Sequence, residues 1–116
     1  MKQFKLGRRA LRDLQDIWEY LSNDSFDAAD RVLEDFHRAF NQLAAVPGIG
    51  RKRPDLTPRA VLFWPVHAYL IIYTDSKPLR IARIVHGRRD VKKLLKNGLD
   101  SPPSRFQPAP AQPAPE

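Results

Sequence analysis

Apolar residues recur along this chain first at a period near two, then at 3.6, then near two again. Gln3 to Leu6 alternates polar and apolar residues and predicts a short first strand. From Arg8, residues Ala10, Leu11, Leu14, Ile17, Trp18 and Leu21 share one helical stripe, with Arg9, Arg12, Asp13, Asp16 and Glu19 on the other side. The spacing predicts an amphipathic helix ending near Ser22, with Arg9–Asp13 and Arg12–Asp16 as i,i+4 ion pairs. Asn23, Asp24 and Ser25 supply a turn and a cap. A second helix is expected from Phe26 to Val46, on the stripe Ala29, Val32, Leu33, Phe36, Phe40, Leu43 and Ala44, and Pro47 and Gly48 end it. Two such helices joined by a tight turn form an antiparallel hairpin that must lay its apolar side on something.

Pro47 to Pro58 is a loop carrying the basic knot Arg51, Lys52 and Arg53. Beyond it, Arg59 to Trp64 predicts a strand stopped by Pro65, and Ala68 to Thr74 predicts a second. Asp75, Ser76, Lys77 and Pro78 form a hairpin turn into a third. This last strand alternates Ile81, Arg83 and Val85 with Ala82, Ile84 and His86 until Gly87 breaks it. Arg83 thereby shares a side with two branched apolar residues, the pattern of a bulge or a strand end. Asp90 is an N-cap for a short helix carrying Val91, Leu94 and Leu95. The order implies an α+β fold: a small antiparallel sheet, β-αα-βββ-α, with the helical hairpin on one face. Val61–Trp64 and Tyr69–Tyr73 are apolar on both faces. The face away from the hairpin is either a partner site or is covered by the last helix.

With 116 residues the chain is a single domain. Residues 1–100 are expected to fold, and residues 101–116, which hold six prolines, are expected to form a disordered tail sampling polyproline II. No cysteine is present, so disulfides and thiolate metal sites are excluded. The N-terminal segment has no apolar run long enough for a signal peptide or a membrane span, so a cytoplasmic location without membrane contact is expected. The net charge of +7 is unevenly spread: −1 over residues 1–50, +2 over 51–76 and +6 over 77–100. A one-sided basic field speeds encounter with polyanions or acidic proteins.

The chemistry to consider lies at the end of the third strand of the later group. His86 sits there among Arg83, Arg88, Arg89, Lys92, Lys93 and Lys96. A single imidazole in a cationic cluster serves either as an acid–base group or as a structural hydrogen-bonding residue. His37 and His67 have no partner at ligand spacing, so no metal site is expected. No cofactor is suggested.

The pieces DLQDIWEYL (Asp13–Leu21), FNQLAAVPGIGRKRPDL (Phe40–Leu56), YLIIY (Tyr69–Tyr73) and RIARIVHGRRD (Arg80–Asp90), in that order, give the chain a resemblance to the RelE/ParE superfamily of type II toxin–antitoxin toxins, and within it to the ParE branch. The ParE branch poisons DNA gyrase; the RelE branch cuts messenger RNA on the ribosome. The nuclease branch places an arginine just before the apolar run that ends in tyrosine, where this chain has Leu70 or Tyr69. Its second arm, a histidine or tyrosine near the end of the last strand, matches His86. The resemblance therefore implies a gyrase inhibitor that is not itself an enzyme. Arg83, His86, Arg88, Arg89, Lys92 and Lys93 would face the target, and a cognate antitoxin would cover Trp18, Leu62, Trp64, Leu70 and Ile72 in a toxin–antitoxin hetero-oligomer. Two alternatives stay open. One is a ribosome-dependent mRNA endonuclease using His86 with Arg83 and Arg59; the other is an inactive homologue that keeps only antitoxin binding.

Overall fold

A computed structural model describes residues 4–96, and the side chains of residues 4–95; the proline-rich tail lies outside the described residues. A short strand β1 (Phe4–Leu6) leads into helices α1 (Arg8–Ser22) and α2 (Phe26–Ala45), followed by strands β2 (Leu62–Val66), β3 (Tyr69–Thr74) and β4 (Leu79–His86) and helix α3 (Val91–Lys96). Ser25 caps α2 as its residue type demands, its hydroxyl accepting the Ala28 N–H at 3.1 Å. The sheet runs β1-β4-β3-β2, with the β2–β3–β4 meander antiparallel. The α+β class holds, but the sheet is mixed: β1 joins β4 in parallel, because the whole helical hairpin separates the two strands and allows a crossover. Pro65 does not stop β2. The strand passes through it, which is tolerated because β2 is an edge strand and Pro65 withholds no N–H that a neighbour needs.

Two apolar layers flank the sheet. On one face α1 and α2 bury Ala10, Leu14, Ile17, Phe36, Phe40 and Leu43 against Ile71, Tyr73, Leu79, Ile81 and Ile84. On the other face α3 lays Val91 and Leu95 on Val61, Phe63, Ile72, Ala82 and Val85, with Leu56 and Leu94 at the margin. The last helix is thus what covers the second apolar face. The two layers stay in register through an irregularity in β4. Ile72 opposes Arg83 and the next residue, Tyr73, opposes Ile81, so Ala82 is an extra residue with no partner on β3. The bulge sends Ile81 and Val85 to opposite faces, against simple alternation, and sets Arg83 opposite Ile72 rather than on the face of Ile81; its guanidinium meets Asp13 of α1 beyond the last residue that β1 pairs.

Arg83 is 5% exposed, and Asp13 of α1 holds it. The Asp13 carboxylate accepts from Arg83 Nε at 2.8 Å and from Nη2 at 3.3 Å, and also from the Ile84 backbone N–H at 2.9 Å. Arg12–Asp16 forms at 3.5 Å as its spacing suggests. Arg9–Asp13 does not, because the Asp13 oxygens are taken by β4. The Arg9 guanidinium still lies close enough that burial and Arg83 pull its pKa down while Asp13 raises it.

The loop after α2 is pinned from within the core. Tyr73 is fully buried; its hydroxyl donates to Pro47 O at 2.7 Å and accepts the Gly50 N–H at 2.9 Å. A Cβ on Gly50 would lie 2.8 Å from Tyr73 Cε1 and 2.9 Å from Cζ, so only glycine fits there. At the other end of the sheet the two-residue link between β2 and β3 has His67 at φ 56°, and His67 Nε2 is 2.7 Å from Asp35 Oδ2 on α2. His67 therefore has a carboxylate partner after all, distant in sequence, and the contact ties a hairpin to a helix.

Two stability outcomes follow from the buried contacts. Asp13→Ala strands a buried guanidinium and should cost about 3–5 kcal/mol in denaturant unfolding. Gly50→Ala should cost more than Tyr73→Phe, which removes one buried hydroxyl and should cost about 1–3 kcal/mol. Unfolding midpoints unchanged in all three variants would contradict these assignments.

Candidate functional site

The turn after β4 is built tightly. Gly87 N–H donates to Ala68 O at 2.8 Å, Arg89 N–H donates to His86 O at 3.0 Å, and Arg88 N–H donates to His86 Nδ1 at 3.0 Å. Asp90 then starts α3, its carboxylate accepting the Lys93 N–H at 3.1 Å. Arg88, Arg89, Lys92 and Lys93 are all exposed, while Val91 and Leu95 of the same segment are buried. A helix of this length can only bury one side, and the cations take the other.

His86 pairs across the sheet with Tyr69, and their rings meet edge to face with centroids 5.2 Å apart. Tyr69 in turn packs on Phe36. His86 therefore lies on the hairpin side of the sheet, whereas α3 with Lys92 and Lys93 lies on the opposite side. Burial, then Arg88 and Arg89, holds the His86 pKa below the ordinary imidazole value. Because Nδ1 accepts a hydrogen bond, the neutral ring carries its proton on Nε2. Burial likewise raises the Tyr69 phenol, which stays protonated at neutral pH.

The arginines expected beside His86 are elsewhere. Arg83 is not on the cationic surface, because Asp13 and the bulge hold it inside. Arg59 is exposed in the loop before β2. Among the described residues, no hydrogen bond, ion pair or ring contact links His86 to Arg83, to Arg59 or to a carboxylate, and no group of three His, Cys, Asp or Glu side chains could hold a metal ion. The residue that sequence reading missed beside His86 is Tyr69. Its signal was the strand alternation that pairs the two ends of the last hairpin.

The residues expected to meet a partner divide between faces. Leu62 and Trp64 are half-buried on the hairpin side. Leu70 is half-buried on the α3 side, and Ile72 is fully buried there, so Ile72 is closed to any partner. The open apolar surface is instead the outside of the hairpin. Trp18 stacks on Phe26 at 5.8 Å and donates its indole N–H to Asp30 at 2.9 Å. Phe26 is 67% exposed and Leu11 52%. A shallow groove lined by Leu14, Gln15, Trp18, Glu19 and Leu33 runs between the two helices.

An NMR titration of the His86 ring should give a midpoint below about 6.5. Replacing Arg88 and Arg89 by glutamine should move it part of the way up. A midpoint above the ordinary value, or one insensitive to those changes, would contradict the assigned environment.

Residues 4–91 match the family of the ParE toxin of the type II toxin–antitoxin system parDE. Among curated relatives, putative toxin Y4kP of Sinorhizobium fredii is 30% identical over 94 residues, covering 81% of this chain and 97% of that protein. Toxin RelE3 of Caulobacter vibrioides is 33% identical over 89 residues, covering 74% of this chain and 95% of that protein. Among solved structures, a chain of the chromosomal ParDE toxin–antitoxin system from P. aeruginosa shares the fold with a TM-score of 0.60 at 22% identity, covering 72% of this chain and 92% of that chain. The helical hairpin on a mixed sheet is thus a known toxin fold, and the chain belongs to the ParE family of type II toxin–antitoxin toxins, within the RelE/ParE superfamily.

Proposed function

We propose that this toxin arrests growth by binding DNA gyrase through the cationic end of the chain, without cleaving a substrate itself, and that a cognate antitoxin neutralises it in the cytoplasm. The observation that carries the non-catalytic reading is the fate of Arg83. RNA cleavage by a general-base route needs a cation at the scissile phosphate beside the acid–base group. Here Asp13 takes the guanidinium expected beside His86, and the position before the apolar run that ends in Tyr73 holds Leu70 or Tyr69 rather than an arginine. His86 keeps a neutral ring, a phenol neighbour and no orienting carboxylate among the described residues. Arg88, Arg89, Lys92 and Lys93 remain open to meet an acidic surface on the target.

The antitoxin reading rests on the outer face of the hairpin, where Phe26 and Leu11 leave apolar area in water beside Trp18. It is further supported by the toxin–antitoxin system that contains the structural neighbour. A segment that folds on binding fits a groove of this kind.

Purified toxin added to gyrase should block supercoiling and build up cleaved DNA, while leaving a translated message intact. Cleavage of that message at codon-spaced sites, lost in His86→Ala, would replace this reading with the nuclease one. Phe26→Asp should change stability by less than about 1 kcal/mol, since the lost stack on Trp18 is offset by an acid in the first turn of α2. The same substitution should weaken the antitoxin complex more than about tenfold in calorimetry, because an exposed aromatic at the centre of such a face carries much of the binding. An unchanged affinity would move the antitoxin off this face.

A further inference from the structure

The basic knot of the long loop and the basic helix lie far apart in sequence but on one face. Arg51 bridges to the outer edge of β2, donating its N–H to Phe63 O at 3.0 Å and accepting the Phe63 N–H at 2.7 Å. The loop then crosses so that Leu56 packs into the same apolar layer as Val91, Leu94 and Leu95 of α3. Lys92 is near enough to Asp55 to help hold that carboxylate below its ordinary range, after Arg53, which binds it at 3.0 and 2.8 Å. The two acids of this face are already engaged: Asp55 by Arg53, and Asp90 by the first turn of α3. Arg51, Lys52, Arg59, Lys92 and Lys93 are all exposed, and among the described residues none of them has an ion-pair partner.

From this we infer that the loop 51–59 and α3 form one cationic platform that grips the phosphate backbone of duplex DNA, independently of its sequence. The inference goes beyond the gyrase reading, because it gives the face a ligand of its own. Three features favour a duplex over other polyanions. The cations come from two elements fixed to the same sheet face, which gives a two-dimensional array rather than a single line. The aromatic residue beneath them, Phe63, is 3% exposed, so no ring is offered for an unstacked base and a single strand gains little. The exposed cations of α3 among the described residues are Lys92 and Lys93, ammonium groups that meet phosphates as point charges, so backbone contacts carry the binding. An acidic protein surface would meet the same charges, but it would show neither sequence-indifferent binding to free DNA nor the steep salt dependence of counterion release.

The test is fluorescence anisotropy of the full purified chain with a labelled duplex of about 20 base pairs, titrated at several salt concentrations. Four phosphate contacts would weaken binding roughly a hundredfold between about 50 and 200 mM salt. Arg51→Ala with Lys52→Ala, and separately Lys92→Ala with Lys93→Ala, should each lower affinity about tenfold and reduce the salt slope by about one per contacting cation. Arg8→Ala with Arg31→Ala removes the same charge from the hairpin and should change affinity less than about twofold. A scrambled duplex should bind equally. Absence of duplex binding at low salt, tighter binding to a single strand, or equal loss in the hairpin control would each overturn the platform. The two readings fail separately: blocked supercoiling without duplex binding removes this inference and keeps gyrase, and duplex binding without any effect on supercoiling does the reverse.

Discussion

The carboxylate of Asp13 holds together the parts of this fold that the chain itself keeps far apart. It takes two guanidinium N–H groups of Arg83 and the backbone N–H of Ile84, so one side chain of α1 grips β4 at three points. The grip falls just past the residues where β1 pairs with β4, and it supplies an acceptor to a β4 N–H beyond the reach of the short first strand. A buried ion pair of this kind adds little net stability over an apolar pair, but breaking it is costly. What it does is fix one arrangement. The contact ties the hairpin to β4 at the point where the extra residue Ala82 shifts the register and β1 no longer pairs with the strand.

The functional character of the surface follows from that arrangement. The hairpin covers one sheet face and α3 covers the other, so the apolar strands offer little of themselves to a partner. Two unlike regions are left open. One is the outer side of the hairpin, where Trp18 and Phe26 stack beside a shallow groove. The other is the cationic face assembled from the long loop and α3. They lie on opposite layers of the molecule, so an inhibitor can occupy the first without needing the chemistry of the second. The same separation places His86 with Tyr69 on the hairpin side, away from the lysines that neighbour it in sequence.

Much of this was legible in the residues alone. The 3.6 period marked both helices to within a residue or two, Ser25 and Asp90 announced their caps, and the strand meander followed from runs of branched and aromatic residues. Arg83 was visibly out of place between Ile81 and Val85, and the bulge is the physical answer to that conflict. Its partner was not legible, because Asp13 lies 70 residues earlier and its local spacing pointed to Arg9 instead. The parallel entry of β1 and the passage of β2 through Pro65 depend on strand order, which alternation does not encode. Ile72 read as an exposed apolar residue because only the docking of α3 closes it. The family resemblance carried the function class; the placement of each cation came from tertiary contacts.

On the proposed reading Arg83, buried and held by Asp13, serves the architecture and not the chemistry of toxicity. The most direct measurement is growth arrest by the doubly neutral chain Asp13→Asn with Arg83→Gln. In that chain amide hydrogen bonds stand in for the ion pair, and the new side-chain carbonyl at position 13 can still accept the Ile84 N–H. Once that chain is shown to be folded by its unfolding transition, the account predicts arrest at the wild-type level. A folded chain that no longer arrests growth would show that the guanidinium acts on the target, and would contradict the account.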